Sequence, residues 1–482
     1  MKVSTAIRLG FFILGLGLGY AVCASGVATA ATSSNLAAPL VEILSNGLKV
    51  AWFVSDRLPI VDISLVVDAG HTDDLAGKSG TAALLGAALD RGAGGLSALE
   101  LALAFDRLGA SRLSSPDSEQ FSVGVHGFAP DVNVLLTLLG KMALEPALSA
   151  EEVEKEKSRI ADEWKNIGDS AEGLASLLFQ RKISANTPYE RGGLASLREL
   201  NGVTRDDVFA FHHTHFVPEN ALLLVVGRVD RVKTKLKIEE VFGRWTGKLP
   251  VQVAPSKGVR ATPTTPAVWI VDRPGLTQAH LRIGFRAPLM NSSDHYALVV
   301  ANAMIGELFN SRLNLVLRDE LGLTYGIGSA FSYSRALAVF GVSAATRNEA
   351  VGELVSRTVT ILDDFKKSPA SVSKAFANEV TASKEFLTGG FPLATSTLGR
   401  VAGRWLVGEF FELGPDYLNE FASKVNQVTP EQVVAAASKH FDLEHLSIVI
   451  AGDQTQILKS LQGAKERKRL GEIKTVTVQQ LL

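Results

Sequence analysis

The pattern of apolar and polar residues repeats in the two halves of the chain. Thr204 begins a helical pattern that ends at Phe216, and an apolar run typical of a buried strand follows. From Thr429 to Phe441, at a constant shift of 225 residues, the same pattern is present and is again followed by an apolar run. Thr is a preferred helix N-cap, and acidic or amide residues occupy the first turn of both copies. A fixed internal period predicts a duplicated domain.

The two halves also begin alike. Alternation predicts a strand over 60–67 and then an Ala/Leu-rich helix over 80–89. In the second half it predicts a strand over 279–285 and then a helix over 295–317. Residues 247–266 contain four prolines among Ser, Thr and Lys, a composition typical of a linker.

Strands and helices in runs indicate an α+β fold in which a sheet packs against helices. We therefore predict two homologous domains, residues 36–246 and 267–482, that are joined by this linker. Two such domains are expected to form a clam-like pair with a site between them.

The first thirty residues predict a signal peptide. Lys2 and Arg8 precede an apolar run over 9–22, and small residues follow as far as Ala30. The run is shorter than the roughly 20 residues that span a bilayer. We expect residues 1–30 to be cleaved near Ala30, which leaves an exported, periplasmic protein without a membrane anchor.

Composition excludes several classes of protein. The 482 residues are 46% hydrophobic and 21% charged, as in ordinary globular proteins of two to four domains. The formal net charge is −1, so no basic footprint indicates a nucleic-acid partner. The one cysteine, Cys23, lies in the predicted signal peptide. A disulfide framework and a cysteine-ligated zinc site are therefore excluded.

Histidines and acids offer the first candidates for chemistry. None of the nine histidines has H-E-x-x-H or H-x-x-E-H spacing. His212, His213 and His215 cluster near a helix end, where zinc binding and stabilisation of the helix dipole are both conceivable, and we favour the latter. Glu156 and Glu163 share one face of the acidic helix predicted over 151–164, where a solvated face is the ordinary interpretation.

A cation and a phenol provide a second candidate. Arg318 is predicted in the last turn of a helix that Gly322 ends, and Tyr325 is predicted to open the next strand. Arg suits a helix C-terminus and Tyr suits a strand, so a structural interpretation is open. Both are also donors that can hold a peptide carbonyl and the oxyanion that it becomes during hydrolysis. No G-x-S-x-G elbow is present to favour a self-sufficient serine hydrolase.

Eight segments together carry a resemblance over residues 36–482. The chain resembles the pitrilysin/insulinase family of zinc peptidases, in the short two-domain branch that includes mitochondrial processing peptidase. The resemblance implies that each domain is a mainly antiparallel sheet packed against helices. The segments are 46–50, 80–92, 156–163, 220–227, 273–278, 306–312, 318–325 and 389–393.

The resemblance also implies that the zinc site is degenerate. Catalytic members carry H-x-x-E-H, and its three places fall on Ala83, Gly86 and Ala87 in this chain. Glu163 falls on the place of the distal zinc ligand and Glu156 on that of a supporting acid. A catalytic zinc needs about three protein ligands, so we expect this chain to bind no metal or other cofactor.

Arg318 and Tyr325 match the substrate-binding Arg–Tyr pair of the family. In the paired-subunit branch, one chain supplies zinc and its homologous partner supplies this pair. The resemblance implies the non-zinc-binding subunit of an exported heterodimeric zinc peptidase, inactive alone. It would position peptides or unfolded proteins for a partner that carries H-x-x-E-H and zinc. The alternative is a catalytically inactive structural or peptide-holding module.

Overall fold

A computed structural model describes residues 36, 38–191, 196–250, 266–368, 373–464 and 470–482. The predicted signal peptide, 1–30, and residues 251–265 of the predicted linker lie outside the described residues. No helix in the described ranges combines the length and the apolar character that crossing a membrane requires.

Each half of the chain builds one six-stranded sheet. The order of strands in the first sheet is β1 (Leu40–Ile43), β2 (Lys49–Val54), β8 (Ala221–Gly227), β3 (Ile60–Val67), β7 (Phe121–Phe128) and β6 (Ser111–Pro116). The corresponding order in the second sheet is β14 (Glu472–Val476), β9 (Ala267–Asp272), β13 (Ser447–Gly452), β10 (Gln278–Ala287), β12 (Ala338–Arg347) and β11 (Ile327–Tyr333). A small ribbon pairs β4 (Gly92–Ala93) with β5 (Leu96–Ser97).

Most neighbouring strands are antiparallel. The parallel pairs are β2 with β8 in the first sheet, and β9 with β13 and with β14 in the second. β8 and β13 thus hold equivalent central places, each with one parallel and one antiparallel neighbour. The sheets differ at one edge, where β1 is antiparallel to β2 and β14 is parallel to β9.

Helices cover the sheets. Those of the first half are α1 (Thr81–Ala88), α2 (Ala98–Arg107), α3 (Val132–Leu144), α4 (Ala150–Ile167), α5 (Ala171–Ile183), α6 (Leu197–Gly202), α7 (Arg205–His215) and α8 (Arg231–Phe242). Those of the second half are α9 (His295–Asn302), α10 (Arg312–Asn314), α11 (Val351–Lys366), α12 (Lys374–Ala394), α13 (Leu398–Phe410), α14 (Tyr417–Gln427), α15 (Pro430–His440), α16 (Gln454–Gln462) and α17 (Val478–Leu481).

The repeated segments fold alike. Thr204 and Thr429 cap α7 and α15 in the same way. Each Thr side chain accepts a hydrogen bond from the N–H of the third helical residue, Asp207 or Gln432. The side chain of that third residue accepts one from the Thr N–H in return. β8 follows α7, and β13 follows α15. Residues 204–227 and 429–452 therefore have the same helix–strand arrangement, which confirms the duplication.

The two halves share helices across their sheets. α5 of the first half packs on β10 and β13 of the second sheet, where the ring of Phe179 lies over Gly284. α13 of the second half packs on β8 of the first sheet, and Val401 joins Phe53 in one apolar cluster. The α+β class with two mainly antiparallel sheets against helices is confirmed, in an arrangement consistent with a clam-like pair.

The prediction of one continuous helix over 295–317 is wrong, because the segment is interrupted. α9 ends at Asn302, π-helical turns cover Ala303–Glu307 and Leu315–Glu320, and residues 308–311 are not helical. The side chain of Asn314 donates to the carbonyls of Leu308 and Ile327, which ties the break to β11. A periodic pattern cannot show such long-range hydrogen bonds.

Candidate functional site

Helix α1 carries the three residues that the resemblance assigns to the zinc motif, Ala83, Gly86 and Ala87. The carboxylate of Asp74 accepts hydrogen bonds from the N–H groups of Gly80, at 2.7 Å, and Ala82, at 2.8 Å, and so fixes the start of the helix. Burial raises the pKa of Asp74 to about 7. Ala83 and Ala87 are half-buried and offer only methyl groups. The helix is in place, but it carries no metal ligand.

The space beside Gly86 is filled by the first sheet. A Cβ at this position would lie 2.6 Å from Cδ of Pro116, the last residue of β6, and 3.6 Å from Cζ of Phe121. Real Cβ contacts are not that short, so even a methyl group would require a shift of the strand. The place that the resemblance assigns to the catalytic glutamate is therefore closed by Pro116.

Two arginines pair with the acids Glu156 and Glu163. α4 packs against α1 and carries Glu156 and Glu163. Glu156 is only 2% exposed, and its two oxygens accept from Nε of Arg91 at 2.6 Å and from Nε of Arg159 at 2.5 Å. Arg159 also pairs with Glu163. These acids form a structural ion-pair cluster in which guanidinium groups supply the positive charge.

Arg91 and Arg159 were missed in the sequence. A signal was present for Arg159, which lies three residues after Glu156 and four before Glu163, the spacing of neighbours on a helix. Arg91 comes from the segment after α1, and only the fold brings it to α4.

The three clustered histidines have different surroundings. His212 Nε2 lies 2.9 Å from the carbonyl oxygen of Ala143, and burial lowers the pKa of His212. The ring of His215 packs on Phe211, and burial lowers its pKa to about 4. Within the described ranges, no group of three or more His, Cys, Asp or Glu side chains is placed to hold a metal ion.

Arg318 is held by its neighbours at the surface of the second half. It lies in the π-helical turn before Gly322, whose φ of +58° is the left-handed conformation that ends a helix. Its Nε donates to Oδ1 of Asp319 at 2.7 Å, and Nη2 lies 3.2 Å from Oδ2. The guanidinium carbon is 3.7 Å from the centroid of the Phe309 ring.

Tyr325 does not open a strand, in contrast to the prediction. It precedes β11 by two residues and is fully exposed, at 101% of the reference area. The hydroxyl of Thr324 bonds the carbonyl of Ala345 at 2.7 Å and accepts from the N–H of Gly326, which makes a tight local turn. The phenol of Tyr325 therefore lies outside the strand and is exposed to solvent.

Arg318 and Tyr325 are electrostatic neighbours. The hydrogen bond to Asp319 raises the pKa of Arg318, and Tyr325 contributes in the same direction. Glu156 and Glu163 bond arginines of the first half, so the acids and the Arg–Tyr pair form two separate clusters. Phe309 and Asp319 were missed in the sequence, although Asp319 is adjacent to Arg318.

Comparison with known proteins identifies the family. The model of Insulinase (Peptidase family M16) matches residues 50–192, and that of the Peptidase M16 inactive domain matches 202–376. The chain belongs to the M16, or pitrilysin/insulinase, family, as the resemblance implied.

Similar proteins cover nearly the same length. An uncharacterized zinc protease of Mycobacterium tuberculosis is 26% identical over 83% of this chain and 90% of its own length. The crystal structure of a peptidase M16 inactive domain from Pseudomonas fluorescens has a TM-score of 0.78 at 21% identity, over 86% of this chain and 98% of that one. A chain of Complex III2 from Candida albicans has a TM-score of 0.72 at 14% identity, over 91% and 100%. The two solved structures show the shared fold.

Proposed function

We propose that this chain is the non-zinc-binding subunit of an exported heterodimeric zinc peptidase. It binds peptide or unfolded protein substrates in the periplasm and positions them for a homologous partner that carries H-x-x-E-H. One observation carries the proposal: α1 has alanines at the two zinc-ligand places and a Gly86 closed by Pro116, while Tyr325 is fully exposed and Nη1 of Arg318 bonds no described residue.

The proposed chemistry divides the work between two chains. Zinc held by the partner polarises the scissile carbonyl and activates water. Tyr325 donates its hydroxyl to the oxygen on which negative charge develops, and Arg318 donates to a neighbouring peptide carbonyl. Fixed donors aimed at developing charge are a large source of rate enhancement, because they need no reorganisation during the reaction.

The exposed position of Tyr325 supports this role. The ring of Tyr189 is buried, at 3% exposure, whereas the ring of Tyr325 is fully exposed. The ring of Tyr325 therefore contributes little packing to this chain, and its hydroxyl faces solvent. In the proposed complex, a partner or a substrate covers the ring.

The test is peptide cleavage by the assembled pair. The chain is co-expressed with an exported homologue from the same source that carries H-x-x-E-H, and turnover of a quenched fluorescent peptide is measured. Tyr325→Phe removes one hydroxyl without affecting packing, and we expect turnover to fall about 10²–10³-fold, as for other lost oxyanion donors.

Tyr296→Phe is the matched control. Tyr296 is half-buried on α9, its ring packs against His295, and it lies outside the proposed site. We expect this variant to cleave at the wild-type rate, and both variants to assemble normally in size-exclusion chromatography. A pair that assembles and cleaves equally fast with Tyr325→Phe would favour the structural or peptide-holding module instead.

A further inference from the structure

We propose that Asp319 and Phe309 are positioning residues that restrict Arg318 to one neutral peptide carbonyl and exclude carboxylates. The site would then take internal segments of a chain rather than C-terminal ends. This inference rests on the proposed function and adds the class of substrate to it.

The first step concerns the guanidinium donors. An arginine has five N–H groups on a planar fork, and it binds a carboxylate through two parallel hydrogen bonds along one edge. In Arg318 the edge formed by Nε and Nη2 already holds both oxygens of Asp319. Nη2 also lies 3.4 Å from the carbonyl oxygen of Phe309. Nη2 therefore has two acceptors already, and because both edges of the fork include Nη2, neither edge offers two free nitrogens to a second carboxylate.

The second step concerns what is left. Nη1 of Arg318 makes no hydrogen bond to any described residue, so its two N–H groups are available to a ligand. A single nitrogen suits a single oxygen acceptor, as in a peptide carbonyl. The exposed phenol of Tyr325 provides a separate donor for another oxygen.

The third step is the orientation of the fork. The guanidinium carbon lies 3.7 Å from the centroid of the Phe309 ring, which is otherwise 78% exposed. Stacking of this kind fixes the plane of an arginine. The side chain of Arg318 is only 17% exposed, although it occupies a surface turn. Phe309 therefore determines which way Nη1 points.

The fourth step is charge. The pair of Arg318 and Asp319 has no net charge, and Glu320 adds an exposed negative charge beside it. A carboxylate gains no net attraction from this patch, whereas a neutral carbonyl still accepts a charge-assisted hydrogen bond from Nη1. An unpaired arginine would favour the carboxylate.

The test measures binding of two matched peptides by fluorescence anisotropy, with the purified full chain. Both probes have the same hexapeptide sequence, without charged side chains, and the same N-terminal label. One probe ends in an amide and the other in a free carboxylate. For the wild type we expect the amide to bind at least as tightly as the acid. Asp319→Ala frees the Nε–Nη2 edge and removes the compensating charge, so the acid should gain about tenfold over the amide, as a charge-assisted bond implies.

Glu320→Ala is the matched control. It also removes one acidic side chain, from the residue after Asp319, but Arg318 pairs with Asp319 and not with Glu320. We expect the ratio of the two affinities to remain within about twofold of the wild type, since the screened effect of one exposed charge is small. Phe309→Leu should weaken both peptides equally, because it disorders Nη1 without changing charge.

The outcomes separate the two proposals. If Arg318→Ala and Tyr325→Phe both weaken binding but the wild type prefers the acid, the proposed function stands and this inference is overturned. Equal ratios in Asp319→Ala and Glu320→Ala would overturn it as well. If no peptide binds, or if binding ignores Arg318→Ala and Tyr325→Phe, the proposed function itself fails.

Discussion

At the scale of single residues, the identities at the zinc-motif places could be predicted from the sequence, but the contacts around them could not. The three motif places follow from counting along the chain to Ala83, Gly86 and Ala87. That Pro116 fills the space at Gly86 depends on how β6 packs on α1, which involves residues thirty positions away. Arg91 likewise reaches Glu156 only in the fold. Local identity was predictable, and the long-range contacts were not.

The closed site leads to a prediction about restoration. We expect the wild type to hold no stoichiometric zinc and to cleave no peptide alone. The triple variant Ala83→His, Gly86→Glu, Ala87→His should also hold no zinc, because Glu163 stays paired with Arg159 and the side chain at 86 meets Pro116. Overpacking at 86 should lower the free energy of unfolding by about 1–3 kcal/mol.

Elemental analysis measures the zinc content of these variants, and urea titration measures their free energy of unfolding. The double variant Ala83→His, Ala87→His is the control, since it retains Gly86 and should be closer to the wild type in stability. One zinc per chain that survives gel filtration, in the wild type or the triple variant, would contradict the closed site.

At the scale of elements, the sequence pattern correctly predicted the helices and strands that local signals determine. The capped helices α7 and α15 and their following strands agree with the sequence, because caps and apolar runs are local signals. The region after α9 does not, because its π-helical turns and the break at 308–311 depend on Asn314 bonding Ile327 across to β11. Tyr325 lies outside the predicted strand for a similar reason, because the hydroxyl of the preceding Thr324 donates a hydrogen bond to the carbonyl of Ala345.

The repeated caps give a prediction at this scale. Thr204→Ala and Thr429→Ala each remove an N-cap acceptor, so each should lower the free energy of unfolding by about 1 kcal/mol. The losses should add in the double variant, because the caps lie in different halves. Thr381→Ala, in the exposed middle of α12, is the control and should change little. A loss at only one of the two caps, measured by urea titration, would show that the repeats are not energetically equivalent.

At the scale of the molecule, the sequence predicted two domains but not the contacts that join them. The turn between β11 and β12 reaches the first half through Arg335. The backbone N–H of Arg335 donates to the carboxylate of Glu119 at 3.0 Å. The guanidinium of Arg335 pairs with Asp68 and lies over the ring of Phe410. Such contacts combine residues from distant parts of the chain, and no pattern along the sequence shows them.

Arg335 is therefore expected to make the two halves unfold together. Arg335→Ala leaves Asp68 without its cation and removes the stacking on Phe410, changes that weaken the junction more than either half. In scanning calorimetry we expect the variant to show two resolved transitions, the lower one several degrees below the wild type, since about 1 kcal/mol corresponds to 2–4 °C in domains of this size. Arg347→Ala is the control, because its ion pair with Glu349 is 63% exposed on both sides and contributes little. If Arg335→Ala melts as the wild type does, the junction depends instead on the shared helices α5 and α13.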